Sequence, residues 1–442
     1  MRPLRGLVRP RPRCGARVTS AALALLLSST GLLALAPAAS AAEVRTEEAR
    51  VASGTGVDAV ELDTTLYLPG GDERAPAVVL AHGFGGSKES VASDAQDLAE
   101  RGYVVLTYSA RGFGHSTGQI GLNDPRYEIA DLSTLLDLLA DRDEVELDAD
   151  GDPRVGVAGG SYGGGLALLG AAYDERIDAI APQITWNSLT AALFPSQTGI
   201  VDAHTVAATP QDADTGVYKR LWAGLFFGVG SVPTGGLLDT LGGATGGADS
   251  EGENGDSGGR PSAGRSLPDL SSLDPAAAEQ ALTCGRFRAD ICAAYQTAAA
   301  TGTLTPEIAA VLDRSSPAGV LDRIEAPTLL LQGTQDSLFG LGQADANARG
   351  IAANGTPVKV VWFAGGHDSS ASDRVSADLR DQIAGWFDFH LRGQGPHPGT
   401  GFEYPAPTGL GGTGVGRVQG GNQTVVANAY PGLDGGEPAE RR

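Results

Sequence analysis

The chain has 442 residues, 41% of them hydrophobic, and a formal net charge of −21. That length exceeds one minimal domain and suits one large α/β domain with an insertion and a sizeable core. Six of its 32 basic residues precede residue 42. The remaining 26 face 53 acidic ones, a balance of −27 that argues against nucleic acid and anionic membrane surfaces as partners.

In chain order the first feature is a leader. Arg2, Arg5, Arg9, Arg11, Arg13 and Arg17 form a basic region, Ala21 to Leu35 an apolar one, and Ala39-Ser40-Ala41 an A-x-A-like cleavage site. The apolar run is short for a spanning helix, and no later stretch reaches about 18 apolar residues. Residues 1–41 therefore read as a signal peptide cleaved near Ala41, and the protein as secreted with no stable membrane anchor. Cys14 leaves with the leader.

Glu43–Ser53 and Val57–Pro69 alternate like a β-hairpin. Ala77–Ala81, a helix over Lys88–Arg101 and Tyr103–Tyr108 make a βαβ unit. The spacing of Ile129, Leu132, Leu135, Leu136 and Leu139 predicts an amphipathic helix over Arg126–Arg142. Val155–Ala158 reads as a buried strand, followed by a helix-like run, and Ile177–Ala181 as another strand. The pattern then stops from Gln183 to about Ser315. It resumes with strands Pro327–Gly333 and Val358–Phe363 and a last helix over Asp373–Leu391. Alternating strands and helices imply an α/β fold with a mainly parallel sheet and helices on both faces. The expected organisation is a core in two parts, 42–186 and 316–392, a cap insertion over 187–315, and a Gly/Pro-rich, poorly ordered tail over 393–442. Within the insertion, Gly242–Ser266 is dominated by Gly, Ser, Asp and Glu and reads as a flexible loop.

The chemistry is concentrated in Gly159-Gly160-Ser161-Tyr162-Gly163. A G-x-S-x-G between strand and helix is a nucleophile elbow, with Gly159 and Gly163 relieving a turn too sharp for side chains. Downstream, Asp336 follows the strand Pro327–Gly333, and His367 follows Val358–Phe363. Groups on loops at the carboxyl ends of parallel strands gather at one rim. A serine hydroxyl needs a base, and imidazole needs a carboxylate to fix its tautomer, so Ser161, His367 and Asp336 are the candidate catalytic set. The N–H groups of Tyr162 and Phe84 are the candidate oxyanion donors. Phe84 lies in Ala81-His82-Gly83-Phe84-Gly85-Gly86, after the strand Ala77–Leu80. There His82 braces the loop rather than serving as the base.

Trp186, Phe194 and Trp222, with Leu193, Phe226 and Phe227, are candidates to line an apolar substrate pocket. Cys284 and Cys292 are a candidate disulfide. On one straight helix they would stand about 12 Å apart, so closure requires a break, for which Gly285 is available. No C-x-x-C, H-E-x-x-H, calcium loop or phosphate-binding glycine motif occurs, so no metal or nucleotide cofactor is expected.

His82-Gly83-Phe84-Gly85-Gly86, Arg111-Gly112-Phe113-Gly114-His115-Ser116 and Gly159-Gly160-Ser161-Tyr162-Gly163-Gly164 together resemble the X-Pro dipeptidyl-peptidase-like and cocaine-esterase-like serine hydrolases. The resemblance covers about Val57–Gln183 and Pro317–Leu391. It implies the α/β-hydrolase fold, a helical cap, the Ser161, Asp336, His367 set, and hydrolysis of peptide or ester carbonyls. Two departures stand out. The acidic residue usual two positions before the arginine is Ser109 here, and about fifty residues after the last helix replace the C-terminal jelly-roll domain. The expected reaction is cleavage of small peptide or ester substrates, X-Pro dipeptidyl-peptidase-like or, alternatively, carboxylesterase- or lipase-like. A non-catalytic binding protein on the same scaffold is the remaining alternative.

Overall fold

The apolar runs pair into one mixed ten-stranded sheet in a computed structural model that describes residues 43–71, 73–195, 218–231, 283–407 and 422–433. The leader over 1–41 and the Gly242–Ser266 segment lie outside the described residues. Strands are β1 (Arg45–Ser53), β2 (Val60–Leu68), β3 (Ala77–Ala81), β4 (Val104–Ser109), β7 (Val155–Gly160), β8 (Ile177–Gln183), β9 (Thr328–Gly333), β10 (Val358–Phe363), β11 (Phe402–Pro407) and β12 (Asn422–Ala427). A separate small hairpin holds β5 (Leu147–Ala149) and β6 (Asp152–Pro153). The sheet order is β1-β2-β4-β3-β7-β8-β9-β10-β11-β12. The strands from β4 through β11 pair in parallel; β1, β2 and β12 pair antiparallel at the edges.

Successive strand residues point to opposite faces. Val79, Leu106 and Val157 therefore pack under helices α2 (Glu128–Ala140) and α3 (Tyr162–Tyr173). Val78, Val105 and Leu329 pack under α1 (Ala92–Glu100) and the C-terminal helix Asp373–Arg392. That two-sided cover makes the central strands continuously apolar, as parallel sheets require. Gly156 is needed for it: a Cβ there would meet the Phe387 ring at 2.5 Å.

Between β8 and β9 the described residues include the α-helices α4 (Leu189–Leu193), α5 (Arg220–Ser231), α6 (Ala289–Thr301) and α7 (Pro306–Arg314). Two further features differ from expectation. Helix α8 (Leu341–Ala352) follows β9, and its inner face is alanine and polar rather than an apolar stripe. The segment after Gly393, expected to be poorly ordered, supplies β11 and β12. The reason is aromatic packing: Trp362 of β10 meets Phe402 at 4.8 Å and Tyr430 at 6.0 Å, which anchors the added strands despite the glycines and prolines. The last helix of the core is α9 (Asp373–Arg392).

Candidate active site

Strand β7 passes into α3 through Ser161, which adopts φ 54° and ψ −111°, a strained conformation for a residue with a side chain. The strain is held from both sides. The Ser161 N–H donates to the Gln183 carbonyl at 2.9 Å, and its own carbonyl accepts from Thr185 Oγ1 at 2.8 Å. A Cβ at Gly159 would sit 2.5 Å from the Ala81 carbonyl, and one at Gly163 would also strike Ala81. Both glycines are thus required by close approach to the end of β3.

The loops after β9 and β10 bring the other two groups to Ser161. His367 Nε2 lies 2.9 Å from Ser161 Oγ, and His367 Nδ1 lies 2.6 Å from Asp336 Oδ2. Asp336 Oδ1 accepts the N–H groups of Leu338 (3.1 Å) and Phe339 (2.7 Å), so the carboxylate's orientation is fixed. Gly366, at φ 142°, packs against the Gln335 carbonyl where no side chain fits. The neighbouring Asp368 accepts from the N–H and hydroxyl of Ser337 and takes no part in this chain of bonds.

The loop after β3 stands beside the elbow, Gly83 being close to Gly160 and Ser161. His82 is buried. Its Nε2 accepts the Ala110 N–H at 3.0 Å, so Nδ1 carries the proton toward the Gly83 carbonyl at 2.7 Å. Burial pushes this imidazole down to about 4. His82 is therefore a neutral brace for the loop. Among the described residues, neither the Phe84 nor the Tyr162 N–H has an acceptor. The Phe84 ring packs edge-on against Phe113 (5.0 Å) and Tyr162 (5.5 Å). Arg111, from the R-G-x-G-x-S run, supports this floor through a buried bidentate pair with Asp131, both bonds 2.7 Å. At Ser109 the hydroxyl accepts the Lys88 N–H. A carboxylate lies directly across the ladder instead, as Asp63, paired with the buried Lys88 ammonium at 3.0 Å.

A cavity of about 110 Å³ opens at Ser161. One water needs about 10–15 Å³ on this measure, so the space suits a small organic group. Trp186 and Phe194 line it, with Leu122, Phe287, Ile308 and Phe339 among others, and among the described residues no charged side chain does. Trp222, expected to line the pocket, does not. It stands half-buried over His367, ring centres 5.9 Å apart, because its indole N–H is drawn to Ser337 Oγ at 3.2 Å. Cys284 and Cys292 are joined in a disulfide with Cα atoms 5.4 Å apart; α6 begins only at Ala289, after Gly285 turns the chain at φ 55°. This short loop presents Phe287 to the Phe84 and Phe227 rings. Two residues that no motif singled out, Asn123 and Glu128, bond directly to Tyr162.

Among the described residues no cluster of metal-binding side chains occurs, and no helix is long and apolar enough to cross a membrane.

Residues 58–368 match the model of the family described as X-Pro dipeptidyl-peptidase (S15 family). Curated relatives share shorter stretches. The uncharacterized protein PA2218 of Pseudomonas aeruginosa is 37% identical over 126 residues, 27% of this chain and 32% of its own. Quorum-quenching protein AidA of Acinetobacter baumannii is 32% identical over 127 residues, 28% of this chain and 40% of its own. The chain thus spans less than half the length of the curated relatives it matches. Among solved structures, that of PA2218 covers 78% of this chain and 94% of its own at a TM-score of 0.44 and 20% identity. An acylaminoacyl peptidase of Pyrococcus horikoshii covers 80% of this chain and 43% of its own, with a TM-score of 0.46 and 14% identity.

Proposed function

The chain belongs to the S15 family of serine hydrolases and has the α/β-hydrolase fold; from that premise we propose that it cleaves small esters with an apolar acyl group through an acyl-enzyme on Ser161. His367 takes the Ser161 proton as the hydroxyl attacks the substrate carbonyl. Asp336 holds the Nδ1–H tautomer and stabilises the imidazolium. The N–H groups of Tyr162 and Phe84 receive the oxyanion. His367 then gives its proton to the departing alcohol, and water repeats the sequence to release the acid.

The observation that carries the substrate class is the lining of the cavity at Ser161. Apart from Ser161 it is aromatic and aliphatic, and among the described residues no carboxylate lines it to pair with a free amino terminus. Burying an ammonium there without a partner would cost several kcal/mol. An acyl chain has no such penalty. Family membership supports X-Pro amides as the second reading, since a prolyl ring is itself apolar. Export is part of the proposal: the leader pattern and the Cys284–Cys292 disulfide both suit an oxidising compartment. The substrate is a small molecule, with no nucleic acid or membrane partner required.

The test is kcat/KM on p-nitrophenyl acetate, butyrate and laurate beside Ala-Pro- and Gly-Pro-nitroanilide. Preference for butyrate over both X-Pro amides is expected. Turnover confined to the amides, and lost when their amino terminus is acetylated, would replace this reading with dipeptidyl-peptidase action.

A further inference from the structure

We propose that Glu128 and Asn123 are positioning residues for the oxyanion donor, fixing the Tyr162 peptide N–H by gripping the hydroxyl and the carbonyl of that same residue. The inference rests on the acyl-transfer reading above. Tyr162 opens α3 directly after the strained Ser161, so the direction of its N–H depends on what holds the rest of the residue. Its hydroxyl donates to Glu128 Oε1 at 3.2 Å and accepts the Asn123 N–H at 3.2 Å. The Asn123 side-chain amide donates to the Tyr162 carbonyl at 2.8 Å. Glu128 also accepts the N–H of Gly121 and, at 3.1 Å, that of Asp124. A single buried carboxylate therefore ties the 121–124 loop and Tyr162 into one unit.

The arrangement is not the cheapest way to fold this loop. Leu122 and Asn123 sit at φ 61° and 62°, the left-handed region, which is unfavourable for side chains other than glycine. Asn123 Oδ1 is buried with no hydrogen-bond partner among the described residues. Backbone strain and an orphaned acceptor in one loop are what functional sites tolerate. The same loop also places Leu122 in the wall of the cavity at Ser161. Donor and acyl wall therefore share one support.

The link carries a proton dependence. Burial pushes the Glu128 carboxyl up to about 7 against the pull of Arg111, and it pushes the Tyr162 hydroxyl well up, so the phenol stays a donor. The other groups facing the site leave Glu128 as the one that titrates there. Arg111 is paired with Asp131, Asp124 is held by Arg126 and Arg314, and the Tyr108 phenol is itself raised by burial. Ionised Glu128 accepts from all three donors. Once protonated, it must donate from one oxygen, and the phenol or a backbone N–H loses its acceptor.

The test uses the full mature chain and p-nitrophenyl butyrate. Tyr162→Phe keeps the peptide N–H and the ring and removes only the hydroxyl. It should lower kcat about ten- to hundredfold, a partial loss of an oxyanion donor, with KM within about threefold. Glu128→Leu, which removes the acceptor itself, should do the same, and the double variant should be no worse than the more damaging single change. The acid limb of kcat should fall with a slope above one in the wild type and with a slope of one in either variant. Tyr162→Phe carries the test alone if thermal melting shows Glu128→Leu misfolded. Unchanged kcat and acid slope in Tyr162→Phe would overturn the proposal, as would a rise in KM at unchanged kcat. A Ser161→Ala control that stays active would instead overturn the acyl-transfer reading on which it rests.

Discussion

Replacing Asp336 by Asn tests the hydrogen-bond chain through a change of one atom. The structure decides how the amide sits. Asp336 Oδ1 accepts two backbone N–H groups, from Leu338 at 3.1 Å and Phe339 at 2.7 Å. Turning the amide NH2 toward them would face donor with donor twice, so the amide oxygen stays there. The NH2 then takes the place of Oδ2, 2.6 Å from His367 Nδ1. His367 can meet it only with an unprotonated Nδ1, which moves the ring proton to Nε2, facing Ser161. The base is then in the wrong tautomer. The expected loss in kcat is about 10⁴-fold, or roughly 5.5 kcal/mol of transition-state stabilisation. The two backbone hydrogen bonds survive, so thermal stability should change little. Steady-state hydrolysis of p-nitrophenyl butyrate gives the rate, and a thermal melt gives the control. Activity within about tenfold of wild type would refute the tautomer argument. Asp368 offers no ready substitute, being occupied by both donors of Ser337.

Gly159→Ala should abolish activity and destabilise the fold by about 1–3 kcal/mol or more, because its Cβ meets the Ala81 carbonyl at 2.5 Å and neither backbone yields without moving the oxyanion loop; denaturant titration and kcat/KM read both effects. Removing the disulfide with Cys284→Ser and Cys292→Ser should cost about 2.5 kcal/mol from its short loop. It should also raise KM by loosening Phe287, and calorimetry with kinetics checks this. The neutral His82, ordinarily near 6.5 and here about 4, contributes stability present above pH 6.5 that is lost as pH falls through about 4, on the order of 3 kcal/mol. Glu128, raised to about 7, has the opposite sign: its contribution is present below about pH 4.5 and is lost as pH rises through 7. Glu128→Gln should therefore steepen the loss of stability between pH 6.5 and 4.5, measured by urea denaturation.

The strands and the rim were legible because parallel-sheet strands buried on both faces are short, continuously apolar runs, and because loops at their carboxyl ends converge. Ser161, Asp336 and His367 sit at the ends of three such strands, and the structure brings their side chains within hydrogen-bond reach. Helix α8 was not legible because its buried face is alanine with Gln343 and Asn347, polar groups that bond the chain around Asn187 rather than forming an apolar stripe. Strands β11 and β12 were hidden by the two prolines of β11 and by the glycine-rich sequence around both strands, since what fixes them is distant Trp362. Glu128 gave no signal either. An acid in the first turn of a helix ordinarily serves the helix dipole, and only the fold shows Tyr162 against it. Trp222 was right in neighbourhood and wrong in role, because its indole N–H found a hydroxyl beside His367.

The most direct test of the central claim is covalent trapping with an alkyl fluorophosphonate, read by intact mass and peptide mapping. The account predicts one adduct per chain, on Ser161, formed in step with loss of ester hydrolysis and absent in Ser161→Ala. An adduct on another residue, or full activity after complete labelling of Ser161, would contradict it.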